Sequence, residues 1–139
     1  MANTVTTRNL QDDAKYLVTH IYLKSDGAAG ELVNQVVVDP TAVTFVDNWG
    51  TPNPPKLTLL EIWYCMTGFD SLLKFDAATP VPFWKMAGQQ PGGEHNDFTY
   101  FGGIKDNSGA GSTGKITLDT AGFTTVTDEG TIILRFRKN

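Results

Sequence analysis

The stretch Leu57–Lys85, LTLLEIWYCMTGFDSLLKFDAATPVPFWK, decides the fold. Side chains alternate across an extended chain, so Leu60, Ile62, Tyr64 and Met66 share one side and Leu59, Trp63 and Cys65 the other. Apolar residues on both sides predict a central strand. Glu61 interrupts the second side, which is therefore expected to meet solvent or a partner in places. Trp63 is expected in or near the core, and Cys65 as inert apolar filling. The turn at Thr67–Gly68 is short enough to make Ser71–Phe75 the second arm of a hairpin. Pro80-Val81-Pro82-Phe83-Trp84 then reads as an irregular, aromatic exit, because proline donates no ladder hydrogen bond.

The same signals recur outward from this stretch. Ala14–Lys24 fits a helix by spacing, with Asp12 and Asp13 at its start, but Tyr16, Val18, Thr19, Ile21 and Tyr22 favour a strand. In that strand Leu17, Ile21 and Leu23 face one side and Tyr16, His20, Tyr22 and Lys24 the other. Val36-Val37-Val38, closed by Asp39-Pro40, suits a strand buried on both sides, and Val43–Val46 a further short one. Strands are also expected near Asp97–Phe101, at Lys115–Asp119, and at Thr131–Arg137 with Ile132, Leu134 and Phe136 inward. Arg135 and Arg137 then lie on a solvated face. About eight short strands with turns between them predict an all-β chain, an antiparallel β-sandwich or jelly roll. Residues 14–139 form one domain, and residues 1–13 a polar N-terminal arm or an edge strand around Val5. Val5, Arg8 and Leu10 are its candidate interface residues.

A chain of 139 residues holds one core without staples. A net charge of −4 argues against nucleic acid, whose phosphates call for a basic stripe. Cys65 is the only cysteine, so no intramolecular disulfide forms and a reducing compartment is compatible with folding. The start MANTVTTRNL lacks an apolar signal-peptide core, and no stretch approaches the roughly 18 apolar residues of a membrane span. No membrane association is expected, and the chain reads as soluble.

No catalytic residue, metal site or cofactor is expected from the sequence. Gly109–Ile116, GAGSTGKI, approaches the phosphate-cradling G-x-x-x-x-G-K pattern, but Ile116 stands where a hydroxyl should reach magnesium. The following KITLD alternates like a strand, so the glycines read as a flexible hairpin loop. Glu94-His95-Asn96-Asp97 groups potential ligands in a segment read as a solvated loop, where adjacent side chains diverge. Cys65 has no base nearby in sequence. Trp49 and Trp84 lie in or beside proline-rich loops, where they either cap the core or anchor an interface.

The segments EIWYCMTGFDSLLKFDAATPVPFWKMAG, DFTYFGGIKDNSGAGSTGKITLDTAGF and TIILRFRK resemble a group of small tailed-bacteriophage virion proteins. The shared pattern falls on Ile62–Tyr64, Phe75–Ala77, Pro82–Trp84, Asp97–Ile104, Asn107–Ile116 and Thr131–Lys138, and its motifs are structural. The resemblance implies a jelly-roll virion protein, foremost a capsid decoration (cement) protein, assembled in the host cytoplasm. Its implied partners are the major capsid protein or neighbouring virion proteins and further copies of itself, as a trimer or dimer. A tail, neck or fibre component and a carbohydrate-binding module with Trp49 and Trp84 as platform are the alternatives.

Overall fold

Residues 2–13, 15–42, 56–90 and 92–138 are described by a computed structural model. Ten strands occur among them: β1 (Thr4–Asp12), β2 (Tyr16–Lys24), β3 (Gln35–Val38), β4 (Leu57–Thr67), β5 (Asp70–Phe75), β6 (Val81–Met86), β7 (Gly92–Asp97), β8 (Ile104–Lys105), β9 (Ile116–Ala121) and β10 (Glu129–Lys138). The large sheet has the order β1-β2-β10-β4-β7, with β8 pairing β4 beyond the end of β7. The small sheet has the order β3-β9-β5-β6.

This order is a jelly roll. The first half of the chain pairs antiparallel with the second as β2 with β10, β3 with β9, β4 with β7 and β5 with β6. Successive rungs of that long ribbon fall alternately into the two sheets, which closes two Greek keys over one core. β1 extends the large sheet at one edge, and β8 continues the other edge past β7.

The core follows from period two. β2 buries Leu17, Ile21 and Leu23, and β10 buries Ile132, Leu134 and Phe136. Facing them, β5 supplies Leu73 and Phe75, and β9 supplies Ile116 and Leu118. Phe69 packs on Phe123 at 4.6 Å, and Phe75 stacks on Phe83 at 4.0 Å between centroids. A register shift between Arg135 and Phe136 on β10 moves Leu59 opposite Phe136, so Leu57, Leu59, Leu60 and Ile62 are all buried on β4.

Several expectations change. β4 and β5 are not a hairpin: they lie in different sheets. Both ladder sides of β4 are filled, by β10 and by β7 with β8, so the Thr67–Gly68 turn carries the chain across the end of the sandwich. Gly68 makes the crossing possible at φ +91°, where a Cβ would lie 2.0 Å from Asp128 Oδ1. Phe69 then enters the core directly, which a hairpin turn would have left in water. Val81–Met86 is strand β6, and Pro82 is tolerated because β6 is an edge. The strand expected at Asp97–Phe101 ends at Asp97, whose Oδ1 accepts from Thr99 N and Thr99 Oγ1 and turns the chain into a 3-10 turn, Thr99–Phe101. Glu94–Asp97 therefore lies in β7, not in a loop.

Val36 is exposed on β3, an edge strand with one neighbour among the described residues. The glycine loop before β9 is not a hairpin: β8 and β9 belong to different sheets, and the loop is tied to Asp76 and Ala78 by backbone hydrogen bonds. Trp63 and Cys65 face outward from the large sheet, Trp63 half-buried and Cys65 exposed. They lie on the side of β4 that the small sheet does not cover. The expectations for Val43–Val46 and Trp49 lie outside the described residues.

Candidate functional site

Alternation that sends Leu17, Ile21, Ile132 and Ile62 inward sends every second neighbour to the outer face of the large sheet. Register then assembles rows from five strands. One row runs Arg8, His20, Ile133, Trp63 and His95, across β1, β2, β10, β4 and β7. The next runs Thr6, Tyr22, Thr131, Cys65 and Gly93, and the one on the other side Val18, Arg135, Glu61 and Asp97.

The middle row stands tall and its neighbour stands low. Trp63 and His95 stack with centroids 4.6 Å apart and ring planes 1° from parallel. Gly93 presents no side chain, and a Cβ there would sit 2.3 Å from the Tyr64 carbonyl oxygen. The step between the rows is a shallow groove of about 430 Å³, with Cys65, Gly93 and Thr131 on its floor and Trp63, His95 and Ile133 as its wall. A second depression of about 300 Å³ continues it past Cys65 toward Thr67, Thr127 and Glu129.

Charge rims this apolar centre. Arg135 lies 3.8 Å from Glu61, and its guanidinium sits 4.7 Å above the Tyr16 ring. Lys24 pairs with Glu129 at 3.3 Å. Hydrogen bonds from the Thr99 hydroxyl and backbone N–H, with smaller help from His95 and Arg135, hold the Asp97 carboxyl below its ordinary range. Burial, then the Glu94 carboxylate, pushes the Tyr64 phenol up. Among the described residues no group of three His, Cys, Asp or Glu side chains is placed to hold a metal ion. The His95 ring, which shares the groove with Cys65, is engaged face-on with Trp63. The arrangement offers contact area with an aromatic centre and a charged rim, the anatomy of a binding surface.

Beyond β7 the chain presents a second feature. Tyr100 is 85% exposed and Phe101 55% exposed, their rings edge-to-face at 4.9 Å. This tip is anchored by buried Phe98, whose N–H donates to Leu60 O and whose ring meets Trp84 at 4.8 Å. Sequence reading expected the Glu61 side of β4 to meet solvent or a partner in places, as it does, but found neither the aromatic row on that side nor the Tyr100–Phe101 tip. The signal for the first was Glu61 alternating with Trp63 and Cys65, and for the second two adjacent aromatics before Gly102-Gly103.

The candidate interface residues separate. Val5 lies on the core side of β1 and packs against the core, Arg8 is exposed in the tall outer row, and Leu10 is exposed at the register shift between Asn9 and Gln11. Trp84 sits on β6 of the small sheet, half-buried against Phe98, its indole Nε1 buried without a hydrogen-bond partner among the described residues. Phe98 follows β7, at the opposite edge of the large sheet from β1, so Trp84 and the β1 residues do not share one surface. Trp49 lies outside the described residues. Comparison of the chain with protein-family descriptions, with curated proteins and with solved structures finds no match.

Proposed function

We propose that this chain is a non-enzymatic structural protein of a tailed-bacteriophage virion, a capsid decoration protein that stabilises the assembled head. What supports the reading is the outer face of the large sheet, where an aromatic and aliphatic row, Ile133, Trp63 and His95, crosses strands held rigid by the core beneath. The resemblance of Glu61–Lys138 to small virion proteins supplies the setting. A decoration protein acts by mass action: it binds the assembled lattice and not its separated subunits. At a free concentration about a hundredfold above Kd, each occupied site adds about 2.7 kcal/mol to the assembled state. A flat, wide face with a charged rim suits that task better than a deep pocket does.

The decisive experiment is the copy number and position of the protein in a map of purified virions. Hundreds of copies on the head support decoration, whereas a few to tens at the portal or tail tip assign it to the neck, tail or fibre. Trp63→Ala combined with His95→Ala is expected to lower occupancy on the head and the temperature at which heads release DNA, while the isolated domain stays folded. The carbohydrate reading is weaker, because the Trp84 ring is already engaged with Phe98.

A further inference from the structure

Among the described residues the two sheets end in four edge strands, and three of these are blunted. β6 carries Pro82 and a register shift against β5. β3 is four residues long and shifts register between Val36 and Val38. β7 opens with two glycines and gives way to the protruding Tyr100–Phe101 tip before β8 resumes the edge. Proline, bulges and shortness are the devices by which sheets avoid joining edge to edge.

β1 is longer than these, and its one register shift, between Asn9 and Gln11, lies near its end. It is nine residues long, TVTTRNLQD, without proline or glycine, and its pairing with β2 is regular from Thr4 to Asn9. Its first half is β-branched, and its charges, Arg8 and Asp12, cancel. It also adds little to the core, since Val5 alone packs there. Yet both ends are fastened. Asn3 Nδ2 donates to Gly30 O at 2.8 Å, and Asn3 Oδ1 accepts from Asp26 N at 3.0 Å. At the other end the buried Lys138 ammonium donates to Asp12 and to the Asp13 carbonyl. A strand that buries so little and is still pinned at both ends is a preorganised template for one more strand.

We infer that β1 pairs antiparallel with β1 of a second copy across a twofold axis, joining two large sheets into one. The sequence of β1 favours its own copy. With the axis perpendicular to the sheet, residues of the same face must oppose each other, so even positions meet even and odd meet odd. Centred on Thr6, the register pairs Thr4 with Arg8 and Val5 with Thr7. Centred on Thr7, it pairs Thr6 with Arg8 and Val5 with Asn9. Neither register opposes like charges, and each places a Thr–Thr pair at the axis, a favourable cross-strand combination. The irregularity between Asn9 and Gln11 ends the regular segment. Because the contact is isologous and uses the longest regular edge among the described residues, assembly closes at two copies. The outer row from Arg8 to His95 is then doubled, which widens the face described above. This inference stands on the strand edges and does not depend on the virion reading.

The test uses the full chain in solution, by sedimentation and light scattering across a concentration series. The native protein is expected to move from 15.2 kDa toward twice that mass. Thr6→Lys opposes Lys to Lys in one register and Lys to Arg8 in the other, so the variant is expected to remain monomeric with an unchanged β spectrum. Thr131→Lys, on the outer face of β10 away from the edge, is expected to leave the dimer intact. Thr6→Glu separates the registers and covers the case in which Thr6→Lys misfolds. If Thr6 meets Thr6, the Glu variant is monomeric alone and pairs when mixed with the Lys variant. If Thr6 meets Arg8, the Glu variant dimerises more tightly than the native chain. A native chain that stays monomeric, a Thr6→Lys variant that still dimerises, loss of the dimer in Thr131→Lys, or a Thr6→Glu variant showing neither behaviour overturns the inference.

Discussion

β10 and β1 are of nearly equal length, ten and nine residues, lie in the same sheet and both pair with β2, yet opposite forces hold them. β10 alternates between half-buried and fully buried positions along most of its length and sits between β2 and β4. β1 is exposed at nearly every position and has one neighbour among the described strands. Burial fixes β10, whereas ladder bonds on one side and polar pins at its ends fix β1. The contrast separates what the fold needs from what it offers: the centre of the large sheet supplies stability, and its β1 edge supplies an exposed template at little cost to the core.

The largest effect expected from breaking this division is in β10. Phe136 is fully buried, and Phe136→Ala removes a ring that the packed interior cannot replace. Destabilisation of about 3–5 kcal/mol is expected, read as a fall in denaturant midpoint at unchanged slope. A loss below about 1 kcal/mol would mean that β10 is not the central element described here.

The second effect lies where the two strands meet. Lys138 ends β10 with its ammonium buried against Asp12 and the Asp13 carbonyl. Asp12→Ala leaves that charge with less compensation and is expected to cost about 2 kcal/mol, whereas Lys138→Met, which removes the charge itself, is expected to be near neutral or stabilising. A double-mutant cycle of the two substitutions gives their coupling. A coupling near zero would show that β1 is not fastened through this contact.

How much of this was legible in the sequence depended on whether the signal was local. Leu17, Ile21 and Leu23 on β2, and Ile132, Leu134 and Phe136 on β10, declare their faces by alternation alone, and each is buried. The all-β sandwich class followed from counting such segments. What alternation does not carry is which strands pair. Thr67-Gly68 reads locally as a hairpin turn, but β10 and β7 reach β4 from far along the chain and leave no side free for β5. Pro82 argues against a central strand and is silent about an edge. Trp63 and Cys65 are apolar, so the sequence alone makes them core. They face outward because the small sheet covers only one side of β4, a fact of layering that no window of residues contains. Arg8 and Leu10, read from the sequence as candidate interface residues, are exposed, whereas the pins at Asn3 and Lys138 join positions far apart in sequence.

Acid sharpens the comparison in a third way, through the turn that joins β1 to β2. Asp13 Oδ1 accepts from Lys15 N at 2.9 Å and Tyr16 N at 2.8 Å, and these bonds lower its pKa from 3.8 to about 2. Hydrogen bonds from Ala29 N and Ala28 N likewise lower that of Asp26, whose own N–H donates to Asn3 at the start of β1. Because the folded pKa lies below the unfolded one, this stabilisation is complete above the unfolded value near 3.8 and is lost as pH falls toward about 2. β1 amides are therefore expected to lose hydrogen-exchange protection over that window while those in the middle of β10 retain theirs. Loss of protection in both strands together would show one cooperative unit and no separable edge.

The smallest effect compares two arginines on the same outer face. Arg135 of β10 is half-buried, with Glu61 at 3.8 Å and the Tyr16 ring at 4.7 Å, so Arg135→Ala removes an ion pair, a cation–π contact and the packing of the aliphatic stem. About 0.5–1 kcal/mol is expected from contacts of this exposure. Arg8 of β1 occupies the adjacent tall row but is exposed, and Arg8→Ala is expected to change stability by less than about 0.5 kcal/mol. The two variants differ in strand, in burial and in the partners of the guanidinium, so thermal or denaturant unfolding of both against the native chain tests the division. Equal losses would place stabilising load on β1 and remove the reason to regard its exposed edge as a surface kept for another chain.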